Sequence, residues 1–99
     1  MFKMIVKIHK TAEGRKIVAI CDNNLIGKRF EEGKLQLDLN SAFYKGKEMG
    51  KEEVKELLKE PCIVNIVGEE SVNFALQAGI ANKKDVLRIS NIPHVEAII

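Results

Sequence analysis

This sequence is poor in the residues that announce a chemistry. Cysteine occurs twice, at Cys21 and Cys62, and histidine twice, at His9 and His94. Two cysteines are too few for a disulfide scaffold, which points to the cytoplasm. There is no Cys-x-x-Cys and no pair of histidines at zinc-finger spacing. If a hairpin closes near Glu13-Gly14, six residues of strand at ~3.3 Å each separate the partner of His9 from Cys21, roughly 20 Å, too far for one metal. No metal site and no cofactor are expected, and both cysteines read as small buried apolar groups. Gly-x-Gly-x-x-Gly and a Walker lysine are also missing. No apolar run approaches the ~18 residues that cross a bilayer, so no membrane association is expected. The N-terminus, Met1 to Lys7, breaks its apolar positions with lysine, which excludes a signal-peptide core and favours a strand.

What is present is a balanced globular composition, 45% apolar and 30% charged over 99 residues, enough for one domain (1–99) and one core. The net charge is only +2. It is unevenly placed: residues 1–50 carry ten Lys/Arg against six Asp/Glu, and residues 51–99 carry six against eight. A positive front half leans toward phosphate, although charged surface serves solubility first.

The pattern along the chain predicts an α+β fold. Residues 2–9 alternate as a half-buried strand, with Met4, Val6 and Ile8 on one face. Thr11 to Gly14 makes a turn, and Ile17 to Cys21 returns antiparallel. Ile26 to Glu31 reads as a short third strand, and Leu35, Leu37 and Leu39 alternate as a fourth. Ser41 to Gly46 reads as a turn. Lys51 to Glu60 sets Val54, Leu57 and Leu58 at helical spacing, and Pro61 blocks continuation. Cys62 to Val67 is a nearly continuous apolar run, as in a strand covered on both faces. Glu69 to Ala78 follows as a helix with Val72, Ala75 and Leu76 inward, and Gly79 stands where a left-handed cap belongs. Asp85 to Ile89 is a last strand, Asn91 to His94 a turn, and the apolar tail to Ile99 docks back on the sheet. The predicted architecture is a mixed sheet: an N-terminal antiparallel meander plus a C-terminal β-α-β unit with a parallel crossover, and two main helices.

The stretch from Cys21 to Gly33 is dense in polar and turn-forming residues between two strands, the place where function tends to sit. Lys28 and Arg29 flank Phe30, and Lys45 and Lys47 follow Phe43 and Tyr44. Aromatic rings stack on exposed bases while lysine and arginine hold phosphates, so this grouping suggests RNA. The alternative is that the rings are core and the lysines merely solvated. Gly68-Glu69-Glu70-Ser71 opens a helix whose free amides suit an anion, but its two glutamates already complement the dipole and repel phosphate. Asn65 interrupts an apolar strand; a buried amide costs roughly 1–3 kcal/mol unless bonded, so it either bonds backbone or faces a pocket. His94 follows Pro93 in a turn, where its ring is accessible. Ser41, Ser71 and Ser90 join neither histidine in a local nucleophile motif.

One set of residues carries a resemblance: Cys21-Asp22, Leu25-Ile26-Gly27-Lys28, Phe30 with Glu32-Gly33, Phe43-Tyr44 with Gly46, Asn65 to Glu69, and Ile92-Pro93-His94. The pattern, from Phe2 to about Val95, resembles a family of small archaeal proteins catalogued as domain of unknown function 424. The resemblance implies a stand-alone, cytoplasmic, archaeal protein with no assigned activity and no catalytic residues to transfer. Asp22, Lys28, Asn65 and His94 are its polar candidates for a shared surface. Three readings follow in order. The first is a binding module, not an enzyme, that contacts RNA or a ribonucleoprotein through Lys28, Arg29, Tyr44, Lys45 and Lys47. The second is a protein-interaction or homodimeric domain that uses Ala97-Ile98-Ile99 and a sheet edge. The third is a small enzyme with a pocket at Asp22, Asn65 and His94.

Overall fold

The computed structural model describes residues 2–99; Met1, the first residue of the lysine-broken N-terminus, lies outside them. Eight strands and two helices follow in the order β1 (Met4–Lys10), β2 (Lys16–Asp22), β3 (Arg29–Glu32), β4 (Leu35–Asp38), β5 (Lys47–Met49), α1 (Lys51–Leu57), β6 (Ile63–Val67), α2 (Glu69–Gln77), β7 (Leu87–Ile89) and β8 (Ile92–Ile98). Six strands form one sheet in the spatial order β5-β1-β2-β6-β8-β7, and β3 and β4 form a separate hairpin. Among these pairs β2 and β6 are parallel and the others antiparallel, so the fold is α+β with a mixed sheet and two helices, as the sequence pattern predicts.

The details differ in three places. β7 runs in the same direction as β6, as a β-α-β reading requires, but β8 lies between them and is antiparallel to both. The unit is therefore a split β-α-β, and the residues read as a docking tail form a central strand. The N-terminal meander stops after β2: β3 and β4 leave the sheet, and β5 takes the outer side of β1. Helix α1 ends at Leu57, not Glu60; the Leu58 N–H makes the last helical bond, to the Val54 carbonyl, and the Lys59 N–H closes with a turn-type bond to the Glu56 carbonyl.

Each face of the sheet has its own core. Met4, Val6, Val18, Ile20, Val64, Ile66 and Val95 point to the helices and meet Val54, Val72, Phe74 and Ala75. Each such side chain fully buried contributes on the order of 1.5–3 kcal/mol. Ala19, Cys21, Val67 and Ile89 point the other way and are covered by Leu25, Leu37, Leu39 and Tyr44 from the hairpin and the segment after it. That cover is partial. Val67 is buried beneath it, while Ile63 and Asn65 on the same face stay half-exposed, so β6 is sealed on the helix face and only half sealed on the other. Gly79, at φ +74°, closes α2 with its neighbour Ile80 donating back to the Ala75 carbonyl at 2.9 Å, the left-handed cap read from the sequence.

Candidate functional site

The junction of β2, β6 and α2 holds Asp22, one of the polar candidates. Asp22 ends β2 with its side chain on the helix face, because it stands opposite Met4. Its Oδ1 accepts the Ser71 amide N–H at 2.8 Å and its Oδ2 accepts that of Glu70 at 3.2 Å. Helix α2 is thus capped by a carboxylate from another strand, and no side chain of its own N-terminal residue, Gly68, does that work. The arrangement resolves the anion-site reading of this terminus: the amides that would hold a phosphate already hold Asp22, and Glu69 and Glu70 add further negative charge. The Gly68 N–H donates to the Pro93 carbonyl at 3.0 Å, and its carbonyl accepts from Val72 at 2.9 Å. Pro93 has no N–H to offer β6 at this position, and none is needed, because α2 fills that acceptor.

Asn65 and His94 lie on the opposite face. Asn65 stands between Ala19 and Glu96 in the register, and His94 between Val67 and Leu87. The sheet therefore separates them from Asp22, and the three do not converge on one pocket. Asn65 is half-buried. The Nε2 of His94 is buried with no hydrogen-bond partner, and burial holds its pKa below the usual histidine range against a weaker upward pull from Glu96. Ser71 Oγ, on the helix side, is likewise buried without a partner.

The basic and aromatic grouping does not assemble into a stacking surface. Tyr44 is 8% exposed and belongs to the second core, so its ring is not a platform for a base. Burial pushes its hydroxyl up to about 12, with Cys21 and Glu96 adding to the rise. Phe43 stands edge-on to Tyr44 and stacks on His9, with ring centroids 4.6 Å apart; His9 Nε2–H donates to the Phe43 carbonyl at 2.9 Å. Arg29 is engaged locally by Glu31 at 2.8 Å and Gln36 at 3.0 Å. Its hairpin packs on β7 at one edge of the sheet, whereas Lys47 sits on β5 at the other, on the helix face opposite Val6. Five strand spacings, roughly 24 Å, separate those edges. Lys28 and Lys45 are exposed on the loops before β3 and β5.

No group of three or more His, Cys, Asp or Glu side chains converges among the described residues. His9 pairs with Ile17, four residues from Cys21 rather than six, which still leaves ~13 Å along the strand. Burial pushes the Cys21 thiol up to about 12, with the Asp22 charge adding to it, and burial also raises Cys62.

The outer main chain of β8 is open beyond His94. Cys62 and Ile99 exchange two bonds, at 3.2 and 3.0 Å, and Gly68 bonds Pro93. Hydrogen-bonded pairs alternate in an antiparallel ladder, so Val95 and Ala97 also turn their main-chain groups to β6. His94, Glu96 and Ile98 turn theirs outward. β7 meets β8 only from Ile92 to His94, so the outward N–H and C=O groups of Glu96 and Ile98 face no strand among the described residues. Ile98 is 81% exposed there, and Leu87, on the same face, 64%. The other edges are guarded by charge or cover: β5 has three residues with Lys47 and Glu48 exposed, the outer side of β1 beyond Val6 is flanked by the exposed Lys7 and Lys10, and β7 lies against the hairpin. Sequence reasoning pointed to Ile98 but not to Glu96 or Leu87. The signal for Glu96 was the alternation from Pro93 to Ile98, obscured because Ile92 and Ile98 in the same row are apolar.

A family model described as "Protein of unknown function (DUF424)" matches residues 9–98. No curated protein matches the chain. Among solved structures, an uncharacterized conserved protein from Methanopyrus kandleri is similar, with a TM-score of 0.81 and 24% identity over 98% of this chain and 91% of that one. At that identity the likeness establishes the fold.

Proposed function

The chain belongs to the DUF424 family, a family of unknown function, and we propose that it acts as a self-associating interaction module that pairs through the open edge of β8. One observation carries the reading: unpartnered main-chain groups of Glu96 and Ile98 lie beside an isoleucine that is 81% exposed. A strand edge of this kind is a template for another strand.

The occupant that fits is a second copy. Antiparallel pairing about Ala97 sets Glu96 of one copy opposite Ile98 of the other. All outward N–H and C=O groups of both residues then find partners, and none is left over. The two Glu96 carboxylates fall on a diagonal instead of facing each other, which avoids a directly opposed like-charge pair. The RNA reading draws its support from Lys28, Lys45 and Lys47 alone, because Tyr44 is inside and Arg29 is paired. The self-association reading needs no such rearrangement.

Sedimentation equilibrium over a wide concentration range tests the proposal. The expected result is a reversible monomer–dimer equilibrium that Glu96→Pro abolishes. Proline removes the outward N–H of residue 96 and leaves the β6 ladder untouched, so the circular dichroism spectrum stays native. Ile98→Lys, which guards the edge with charge, weakens association in the same direction. A monomer at every concentration, or a dimer indifferent to both substitutions, overturns the reading.

A further inference from the structure

A second feature lies at the end of the sheet and meets the open β8 edge only at Ile98. The β1–β2 turn, the start of β6 and the end of β8 enclose a cleft of about 520 Å³. Its charged side chains are Lys10, Arg15 and Lys16 against a single acidic side chain, Glu60. Pro61 and Ile99 supply apolar wall on the face of Lys10 and Lys16, and Ile63 and Ile98 line the cleft from the other face of the sheet. Volumes of this size accommodate a small organic ligand.

The cations are held in an arrangement that folding alone disfavours. Lys10 and Lys16 are the terminal pair of the β1–β2 ladder and stand directly opposite each other on one face. Like charges in that position destabilise a hairpin. Only one of them is compensated. Lys16, whose side chain is 12% exposed, donates to Glu60 at 3.0 Å and to the Leu57 carbonyl at 3.4 Å, so it is a fixed charge at the base of the cleft. The Glu60 carboxyl is correspondingly held below its usual range by the Lys16 hydrogen bond and charge, with a further pull from Lys10. Lys10 and Arg15 form no ion pair among the described residues. Arg15 is placed by its main chain, whose N–H donates to Thr11 Oγ1 at 3.1 Å, so its guanidinium extends from a fixed turn. Among its side chains the cleft therefore offers more positive than negative charge, with an arginine fork beside an apolar wall.

We propose that this cleft binds a small organic anion: one compact acidic group, phosphate or carboxylate, on an apolar body. The acidic group meets Lys10 and Arg15, which pairs planar oxygen groups in bidentate fashion, and relieves the Lys10–Lys16 repulsion. The apolar body lies on Pro61 and Ile99. The acidic group's site does not depend on pairing along β8, because its cations lie on the β1–β2 hairpin and the cleft shares only Ile98 with that edge.

The test is a heteronuclear NMR titration of the full chain with hexyl phosphate, hexanoate, inorganic phosphate and 1-hexanol. Hexyl phosphate or hexanoate is expected to give saturating shifts confined to the amides of Arg15, Lys16, Cys62, Ile63 and Ile98. The tighter of the two identifies the acidic group. Inorganic phosphate and hexanol, each lacking one half of the ligand, bind at least tenfold more weakly. Arg15→Glu weakens binding at least tenfold with the remaining spectrum native, whereas Lys84→Glu, on a distant turn, leaves it unchanged. Glu96→Pro also leaves it unchanged, which separates this site from self-association. Shifts that do not saturate, shifts spread over lysines of the whole surface, or an Arg15→Glu protein that binds like wild type overturn the proposal.

Discussion

The Asp22 carboxylate occupies the space that a side chain on Gly68 would fill. A Cβ built on Gly68 would overlap the Asp22 carboxyl group, and Gly68 itself is at φ +109°, where L-residues are strained. The bare backbone at Gly68 lets the carboxylate reach the amides of Glu70 and Ser71, residues 48 and 49 positions further along the chain. Three elements are locked together by that one contact: the end of β2, the end of β6 and the start of α2.

Asp22→Ala is therefore expected to destabilise the protein by about 1–3 kcal/mol, because two amide N–H groups at a buried helix terminus lose their acceptor. Gly68→Ala is expected to cost more, since it adds backbone strain and expels the cap. The double variant is expected to be less destabilised than the sum, as the overlap needs both partners. Urea unfolding of the four proteins checks this; strict additivity would contradict the contact.

Tyr44 is the single tyrosine, so its ionisation can be read directly by ultraviolet absorbance. In the native protein its titration midpoint is expected near 12, against about 10 in the urea-unfolded chain. A native midpoint near 10 would mean that the ring is in water and would restore it as a surface for stacking.

His94 makes stability fall on the acid side. Its folded pKa is depressed by burial, so the unfolded chain binds a proton more readily, and stability rises with pH through that window. The contribution is complete above ~6.5 and is lost as pH falls from there toward the depressed folded value. Thermal melts between pH 7 and 5 are expected to drop more steeply for the wild type than for His94→Gln. Parallel slopes would assign the acid sensitivity to other groups.

Neither thiol is expected to react readily in the native state. With Cys21 at about 12, its thiolate is on the order of one part in ten thousand at pH 8, and its side chain is sealed under Tyr44 and Val67. Cys62 is also raised, but less encased. Labelling with a chromogenic disulfide at pH 8 should leave Cys21 protected until unfolding and modify Cys62 first; fast modification of Cys21 would contradict its place in the core.

How much was legible in the sequence depended on element length. Met4-Val6-Ile8 and Val18-Ile20 alternate over enough residues to fix β1 and β2, and Val72 and Ala75 mark the inward stripe of α2. β5 was invisible as a strand, because three residues, two of them charged, hold no period. β8 was read as turn and tail because Asn91 and Pro93 are turn residues; its role depended on Gly68 needing no donor from Pro93. Among the site candidates, Asp22 was flagged as polar and set near the right loop, but its partner is a helix terminus nearly fifty residues away. Tyr44 looked like a surface residue because its neighbours Lys45 and Lys47 are charged, yet those lysines lie on the loop and the edge strand beside it while its ring turns inward.

Period, turn chemistry and helix signals are local properties, and by themselves they determined the α+β class, most of the strands, both helices and the left-handed cap at Gly79. Strand order, the insertion of β8 between β6 and β7, the filling of the α2 terminus by Asp22 and the pairing of Lys16 with Glu60 at a cleft were decided only in three dimensions. Those features depend on which distant segments bury one another's apolar faces and satisfy one another's main-chain groups. No window of neighbouring residues contains that information.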